Sequence, residues 1–126
     1  MVVDSCVILA IIFNEKHAAW ALEQISKYSG ELRMSTVNLS ETLILCKSKQ
    51  PQQFAELEDK ILNLPIRFVA PEVKQAQIAA SARERFPINL GDCFAYALAK
   101  IEGCGVLTID ADFQKTDLEI IFPGCN

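Results

Sequence analysis

Short apolar runs alternate along the chain with longer segments in which apolar residues recur at helical spacing. The apolar runs predict five strands, over residues 1–4, 32–36, 66–70, 105–109 and 118–121. The segments between them predict helices, and this alternation is typical of an α/β domain with a mainly parallel sheet. A strand that starts at residue 1 is expected to lie in the centre of that sheet.

Helices are predicted over residues 5–13, 16–28, 51–62, 72–85 and 89–102, with a further helix that begins at Asn38 as its cap. Two of these helices show an apolar face that is expected to pack inward. The inward positions are Ala18, Ala19, Leu22 and Ile25 in one, and Val73, Ala76, Ile78, Ala79 and Ala80 in the other. Residues 89–102 are almost wholly small or apolar, so this helix is expected to be buried.

The composition indicates a globular protein of one domain and argues against a membrane-spanning protein and a zinc-binding protein. A chain of 126 residues with 51% hydrophobic and 22% charged residues is long enough for one domain, taken as residues 1–126. The apolar run over residues 6–13 is too short to span a bilayer and has no signal-peptide pattern. Five dispersed cysteines and a single histidine argue against a zinc site and favour reduced thiols in the cytoplasm.

Four acidic residues occupy equivalent places in the predicted fold. Asp4 and Asp110 each follow a strand, while Glu41 and Asp92 each lie in the first turn of a helix. In a parallel α/β sheet, the carboxyl ends of strands and the amino ends of the following helices share one edge, where ligands usually bind. We therefore expect these four carboxylates to converge there.

Converging carboxylates require compensation for their charge. Two like charges about 4 Å apart cost roughly 4 kcal/mol at an effective dielectric constant of 20. Mg²⁺ prefers a few carboxylates and water as ligands, and a bound divalent metal lowers the pKa of water and stabilises phosphoryl displacement. The net charge of −4 argues against a nucleic-acid binder that uses a broad basic patch alone, but it is compatible with an enzyme that uses a metal ion.

The motifs around these acids resemble those of the PIN-domain nucleases, and in particular the VapC-type toxins of toxin–antitoxin pairs. The matching segments are VVDSCVILA (2–10), STVNLSE (35–41), NLGDCFAYALAK (89–100) and LTIDADF (107–113), and together they span nearly the whole chain. The third segment is the most specific of the four. The resemblance implies a three-layer α/β/α fold around a five-stranded parallel sheet, with endoribonuclease activity that depends on Mg²⁺ or Mn²⁺.

The resemblance also assigns residues and partners. Asp4, Glu41, Asp92 and Asp110 match the acidic quartet of the family, in which the carboxylates hold the metal and the metal activates the attacking water. Ser5 and Thr108 match small hydroxyl positions beside the metal, and Asp112 matches a further acid in the last motif. The implied partners are an RNA substrate, a cognate antitoxin that blocks the site, and a second copy in a homodimer, with no membrane association.

Several of these residues also have a purely structural interpretation. The pairs Asn38–Glu41 and Asn89–Asp92 have the spacing of helix-capping pairs. Ser5 and Asp112 could each cap the turn that follows. Cys6 and Cys93 are interpreted as small apolar fillers. Basic residues could contact RNA phosphates or form a solvated face; they are Lys47, Lys49, Arg83, Arg85 and Lys100.

Other functions remain open at this point. A phosphoacceptor receiver domain has a similar length and metal dependence, but the strand over residues 66–70 runs into Pro71 without an acceptor aspartate. A catalytically silent PIN-like subunit kept for binding would have little reason to retain all four acids. A DNA-directed nuclease would use the same chemistry, because no residue identifies a reader of the RNA 2′-hydroxyl.

Overall fold

Five parallel strands form the centre of the molecule in a computed structural model that describes residues 1–124. The sheet order is β3-β2-β1-β4-β5, and every neighbouring pair is parallel. The strands are β1 (Val2–Val3), β2 (Leu32–Ser35), β3 (Ile66–Val69), β4 (Val106–Leu107) and β5 (Ile120–Ile121). The predicted α/β class and the central place of the first strand are confirmed.

Six α-helices and two short 3₁₀ turns connect the strands. The helices are α1 (Ser5–Ile12), α2 (Ala18–Lys27), α3 (Thr36–Lys49), α4 (Phe54–Leu62), α5 (Val73–Arg85) and α6 (Leu90–Glu102). The 3₁₀ turns are Pro51–Gln53, which leads into α4, and Ala111–Lys115, which follows β4. None of the helices in residues 1–124 has the length and apolar character needed to cross a membrane.

The two faces of the sheet are covered by different helices, which makes three layers. Val3, Met34 and Leu107 point to one face, where they pack in a core with residues of α1 to α4. Val2 and Val106 point to the other face and pack against α6. Successive residues of a strand point to opposite faces, so Val2 and Val3 anchor the two cores from adjacent positions. The predicted three-layer α/β/α architecture is confirmed.

Strands β1, β4 and β5 are shorter than the apolar runs that predicted them. Hydrogen bonds between neighbouring backbones nevertheless continue past β1 and β4: the amide of Asp4 donates to the carbonyl of Leu107 at 3.0 Å, and that of Thr108 to Ile121 at 3.1 Å. The residues that follow these strands are therefore fixed by the sheet although they lie outside the strands.

The start of α3 differs from the prediction. Ser35, the last residue of β2, caps the helix, and its hydroxyl accepts from the amide of Val37 at 3.2 Å. Asn38 is therefore not the cap: it lies in the first helical turn with no exposed surface. The prediction was wrong because β2 passes directly into α3 without a loop residue between them. The alternative capping interpretation of Asn38 and Glu41 is wrong for the same reason.

The inward faces of α2 and α5 are also rotated from the predicted ones. In α2, Gln24 and Ile25 are buried, while the predicted inward residue Leu22 is 53% exposed. In α5, Ala79 is buried as predicted, but Val73 is 75% exposed. The remaining exposed positions among the predicted inward residues are Ala19, Ala76 and Ala80. Apolar spacing alone does not decide between overlapping faces of a short helix, and Leu22 and Val73 fall outside the face that meets the sheet or α6.

Helix α6 is buried along most of its length, as predicted. Eight of its 13 residues are buried, from Gly91 to Ala99 with the exception of Phe94. Asn89 caps the helix in a reciprocal capping box with Asp92, and Gly103 ends it with a φ of +66°, a conformation that glycine adopts without strain. The buried helix thus begins with an acid that its own cap holds in place.

The redox state that the sequence predicts for the cysteines stays a prediction. Cys6, Cys46, Cys93 and Cys104 form no disulfide, and Cys125 lies outside the described residues.

Candidate active site

The strand order reverses between β1 and β4, and the candidate site lies at this point. After β1 the chain forms β2 and β3 on one side, and β4 and β5 lie on the other side. In open parallel sheets, ligands bind at the carboxyl ends of the strands where the order reverses. Asp4 follows β1 directly, and Asp110 follows β4 at a distance of three residues. This order also differs from the 2-1-3-4-5 order of receiver domains, so the alternative of a receiver-like protein is wrong.

Asp4 is a buried carboxylate, only 2% exposed, that caps α1. Its Oδ1 accepts from the amide of Ser5 at 2.8 Å, and its Oδ2 accepts from Thr108 Oγ1 at 2.9 Å and from Cys6 Sγ at 3.1 Å. Burial raises the pKa of Asp4, and these three hydrogen bonds act in the opposite direction. Because Asp4 is the cap, the alternative interpretation of Ser5 as the cap is wrong.

Thr108 connects the first and the last acid of the predicted quartet. Its hydroxyl donates to Asp4 Oδ2 and accepts from the amide of Asp110 at 2.9 Å, and the side chain is fully buried. Asp110 in turn caps the following 3₁₀ turn, where its Oδ1 accepts from the amide of Asp112 at 2.9 Å. Asp112 therefore does not cap this turn, contrary to the structural interpretation considered for it.

Asp92 is presented by the first turn of α6 and is 6% exposed. Its Oδ2 accepts from the amide of Asn89 at 3.4 Å, while its own amide donates to Asn89 Oδ1 at 2.8 Å. This is the capping pair expected from the sequence. The cap fixes the side chain, and it leaves the second carboxylate oxygen, Oδ1, without a bond to the cap.

Glu41 reaches the same region from the second turn of α3, and not from the first turn as predicted, because the helix already begins at Thr36. Its Oε1 accepts from Asn38 Nδ2 at 3.0 Å and lies 3.5 Å from Ser5 Oγ, which is itself 3.4 Å from Asp4 Oδ1. Its carboxylate lies against Gly91, where a Cβ atom would overlap with it. The missing side chain of Gly91 thus leaves the space into which Glu41 extends.

The negative charges of neighbouring acids contribute to the raised pKa values of Asp92 and Asp4. The pKa of Asp92 is raised from 3.8 to about 7, first by burial, and then by the negative charges of Asp4, Asp110 and Glu41. The charge of Asp110 also contributes to the raised pKa of Asp4. The structure therefore places the four acids together at one edge of the sheet, as predicted. This includes Asp92, whose helix follows another helix.

The donor set suits a hard divalent cation in its chemistry. Carboxylate oxygens are the ligands that Mg²⁺ and Mn²⁺ prefer, and the mutual repulsion of these carboxylates would be relieved by a positive ion. Within residues 1–124, however, no three His, Cys, Asp or Glu side chains form a ready metal cluster. The oxygens of Asp4, Asp92 and Asp110 are engaged by hydrogen bonds from neighbouring side chains and amides, so the carboxylates are grouped but not arranged around a common point.

Asp112 and the candidate basic residues have other partners. The carboxylate of Asp112 pairs with Lys115 at 3.5 Å. Arg83 donates to the carbonyl of Ile88 at 3.0 Å, and both Arg85 and Lys100 pair with Asp117. The remaining candidates, Lys47 and Lys49, lie over the rings of Phe54 and Phe13.

Three residues at the site have a role that the sequence did not predict: Cys6, Asn38 and Gly91. Cys6, interpreted as an apolar filler, donates to Asp4 and accepts from the amide of Ile109 at 3.3 Å. Asn38 binds Glu41, and Gly91 makes room for it. The signal in the sequence was their position inside the acidic motifs, one to three residues from an acid. Cys93, by contrast, is buried in a core of apolar side chains, as predicted.

Comparison with known proteins places this arrangement in a family. Residues 1–119 match the family described as PIN domain. The chain is 31% identical over 134 residues to ribonuclease VapC42 of Mycobacterium tuberculosis, with 99% of each chain covered.

Two solved structures of low sequence identity share the fold. The crystal structure of Mycobacterium tuberculosis VapC20, a toxin that cleaves the sarcin–ricin loop, aligns with a TM-score of 0.82 at 17% identity and covers 97% of this chain and 98% of that one. A chain of a toxin–antitoxin complex from Klebsiella pneumoniae aligns with a TM-score of 0.76 at 15% identity, with 95% and 94% covered.

The family match covers almost the whole chain, and the relative in M. tuberculosis matches it end to end. Together with the sheet order and the grouped acids, these similarities show that the chain belongs to the PIN-domain family and, within it, to the VapC ribonucleases.

Proposed function

We propose that this protein is a metal-dependent endoribonuclease and the toxin of a toxin–antitoxin pair, with residues 1–126 acting as one catalytic domain in the cytoplasm. Asp4, Glu41, Asp92 and Asp110 are its catalytic and metal-binding residues in this proposal. The VapC relatives are named ribonucleases, and VapC20 is a toxin that cleaves RNA, which supports the assignment of substrate.

One observation carries the proposal more than any other. Four acids, from the ends of β1 and β4 and from α3 and α6, lie close together, and the pKa of Asp92 rises to about 7 through burial first and then through the negative charges of the other three. Such a group costs free energy in the absence of a cation, since like charges in a partly buried site repel one another. A protein that only binds a partner gains nothing from this cost, whereas a nuclease needs the carboxylates to hold a cation beside the phosphodiester.

Hydrogen bonds within the chain orient two of the proposed catalytic acids, Asp4 and Asp92. Asp4 is held by Ser5, Cys6 and Thr108, so its carboxylate has one orientation. Asp92 is fixed by its cap, with the positive end of the α6 dipole adding to the stabilisation of its negative charge. These bonds limit the movement of the Asp4 and Asp92 side chains, which reduces the part of the reorganisation that falls on them when a cation and substrate bind.

A bound Mg²⁺ or Mn²⁺ would neutralise the carboxylates, lower the pKa of water for attack on phosphorus and stabilise the charge that develops on the phosphate. Ser5 and Thr108 would act beside it as auxiliary residues: the Ser5 hydroxyl lies between Asp4 and Glu41, and Thr108 joins Asp4 to Asp110. Asp112 is assigned a lesser role, because its carboxylate pairs with Lys115.

The proposed partners are an RNA substrate, a cognate antitoxin and a second copy of the chain. The antitoxin is supported by the similarity in fold to the toxin–antitoxin complex from K. pneumoniae. The homodimer rests on the family resemblance alone, and light scattering of the purified protein would test it.

The direct test is cleavage of total RNA by purified, antitoxin-free protein in Mg²⁺, Mn²⁺ or EDTA. Discrete fragments are expected with either metal, none in EDTA, and none with Asp92→Asn. Glu72→Gln is a matched control, since Glu72 is an exposed acid at the start of α5 with no side-chain bond to the helix. Its fragments should equal those of the parent.

Two results would overturn the proposal. Folded parent protein that cuts no RNA with either metal would favour a catalytically silent binding subunit. Cleavage of single-stranded DNA in preference to RNA of the same sequence would favour a DNA-directed nuclease with the same chemistry.

A further inference from the structure

A single carboxamide joins two of the helices that supply the acidic group. Asn38 Nδ2 donates to Glu41 Oε1 on α3 at 3.0 Å, and to the carbonyl of Gly91 on α6 at 3.0 Å. Both hydrogens of the amide are therefore used, and the side chain is fully buried. Asn38 thus connects Glu41 to the first turn of α6, next to Asp92.

The orientation of this carboxamide follows from its surroundings. Exchange of its oxygen and nitrogen would place an acceptor against the carboxylate of Glu41 and the carbonyl of Gly91, which are both acceptors. In the observed orientation, Asn38 Oδ1 is buried and has no hydrogen-bond partner within residues 1–124. A buried polar atom without a partner costs about 1–3 kcal/mol, and the two bonds that the amide nitrogen donates offset this cost. The presence of a polar side chain here is explained by the two acceptors that its amide nitrogen binds, the Glu41 carboxylate and the Gly91 carbonyl.

Glu41 has few other constraints. Its other hydrogen-bond contact, from the hydroxyl of Ser5, is 3.5 Å long, which is at the limit of a hydrogen bond. The carboxylate extends over Gly91, where there is no side chain to support it. A glutamate has three rotatable side-chain bonds, so without the amide of Asn38 its carboxylate would sample several positions.

We propose that Asn38 is a positioning residue for the proposed ribonuclease reaction, which fixes the Glu41 carboxylate against the amino end of α6. The inference rests on the proposed function for its effect on turnover, but the hydrogen bonds that it describes are independent of the reaction. Asn38 itself contacts neither substrate nor metal. Its loss should affect the reaction through Glu41, while the lost bond to the carbonyl of Gly91 should appear as a lower free energy of unfolding.

The test compares Asn38→Ala with Thr42→Ala. Thr42 is the matched control, because it is also fully buried, lies one turn further along α3, and bonds only to the backbone carbonyl of Asn38. Loss of a group that orients a metal-binding side chain typically costs 10–100-fold in metal affinity or activity. We expect kcat to fall about 10–100-fold in Asn38→Ala with KM for RNA within about 3-fold, and both to stay within about 3-fold in Thr42→Ala.

Manganese affinity, measured by electron paramagnetic resonance without RNA, gives a readout besides activity. We expect Mn²⁺ to bind about 10-fold more weakly to Asn38→Ala than to Thr42→Ala. In the Glu41→Ala background, the same Asn38→Ala change should alter Mn²⁺ affinity by less than about 2-fold, since there is no carboxylate left to position. Melting temperatures of all variants, recorded by circular dichroism, establish that they are folded.

The outcomes separate this inference from the proposed function. Equal Mn²⁺ affinity and equal kcat in the two single variants would overturn the role of Asn38 while leaving the nuclease intact. An undiminished effect of Asn38→Ala in the Glu41→Ala background would overturn it as well, because a general packing defect would be the cause. Parent protein that binds Mn²⁺ but cuts no RNA would end the proposed function alone, and the Mn²⁺ comparison would still decide on Asn38.

Discussion

The hydroxyl of Thr108 donates to the carboxylate of Asp4 across 104 residues of sequence, at a distance of 2.9 Å. The same hydroxyl accepts from the amide of Asp110 at 2.9 Å, and no part of the side chain is exposed. The central strands β1 and β4 are thus joined at the site by one side chain. The Thr108 hydroxyl orients Asp4 by a bond to its carboxylate and Asp110 by a bond to its backbone amide.

Replacement of this threonine by valine keeps its shape and removes both hydrogen bonds. Thr108→Val should lower the free energy of unfolding by about 2–3 kcal/mol, because a buried carboxylate loses a donor and a buried amide loses its acceptor. Cleavage of RNA should slow at least about 10-fold, an effect of the size seen for groups that orient metal ligands. Urea denaturation and a cleavage assay measure the two effects.

The control for this change is Thr116→Val. The hydroxyl of Thr116 likewise donates one hydrogen bond and accepts one: it donates to the backbone carbonyl of Phe113 at 2.7 Å and accepts from the amide two residues later. It lies away from the acids, so its loss should cost about 1 kcal/mol and leave the cleavage rate unchanged. Equal rates for the two variants would contradict a role for the Thr108 hydroxyl at the site.

The pKa of about 7 for Asp92 makes the stability of the protein depend on pH. The ordinary value is 3.8, so between pH 4 and pH 7 the folded state binds a proton more tightly than the unfolded state does. Stability should therefore fall as the pH rises through this range. Asp92→Asn removes the negative charge and should be more stable than the parent at pH 8 in EDTA, by about 1–2 kcal/mol, because solvent at the edge of the sheet screens part of the repulsion.

Thermal melts at pH 5 and pH 8, with EDTA or saturating Mg²⁺, measure this difference. The two proteins should melt at similar temperatures at pH 5, where Asp92 is already protonated. Saturating Mg²⁺ should reduce the difference at pH 8, because a bound cation compensates the charge. A variant that melts well below the parent under every condition would show that Asp92 acts mainly as a helix cap.

Gly91 is expected to control the position of Glu41 more than the stability of the fold. A methyl group at this position would overlap with the carboxylate of Glu41, which is the mobile end of a long side chain and can move aside. Gly91→Ala should therefore change the free energy of unfolding by no more than about 1 kcal/mol, since alanine also favours the helix. Cleavage of RNA should nevertheless fall at least about 10-fold.

The double variant Glu41→Ala/Gly91→Ala tests the cause. With the carboxylate absent, the methyl group meets no obstacle, and the change at Gly91 should stabilise the protein by about 0.5–1 kcal/mol, as glycine-to-alanine changes in helices do. If the double variant is less stable than Glu41→Ala alone, the space beside Gly91 is limited by the backbone of α3 or another neighbour and not by the Glu41 carboxylate.

Cys6 should behave as a hydrogen-bond donor to Asp4. Its thiol lies 3.1 Å from Asp4 Oδ2, and this bond acts against the rise in the pKa of Asp4 that burial causes. Cys6→Ala should raise the pKa of Asp4 further, so the acid limb of the pH–rate profile should move to higher pH. Cys6→Ser keeps a donor and should leave the limb in place.

Cys93→Ala is the control for Cys6, because it removes a thiol of the same size from an apolar core on α6. It should lower stability without moving the acid limb. Profiles of cleavage rate against pH for the three variants provide the measurement, and a shift common to both alanine variants would point to a general loss of packing.

The positions of the four acids could be predicted because they depend on chain order alone. Asp4 and Asp110 follow strands of a parallel sheet, Asp92 lies in the first turn of a helix and Glu41 in the second turn of another, so the rule that strand ends and helix starts share one edge was sufficient. The architecture followed from the same alternation of elements. Their catalytic role stays a prediction.

The contacts that orient these acids could not be predicted in the same way. Asn38 was assigned as a cap because its spacing to Glu41 fits one, but β2 passes directly into α3, and Ser35 takes that place. Cys6 was assigned as a filler because a thiol in an apolar segment is usually one. Both errors have one origin: the partner of each side chain is decided by elements that meet only in the folded chain.

The sequence by itself therefore determined which residue types reach the edge of the sheet, because hydrophobic spacing and strand order are local properties of the chain. Only the tertiary structure decided how they meet there. The approach of α3 to α6 at Gly91, the link from Thr108 to Asp4, and the pairing of Asp112 with Lys115 depend on distances between elements far apart in sequence. Those distances are set by how two cores pack on opposite faces of one sheet, which no single segment encodes.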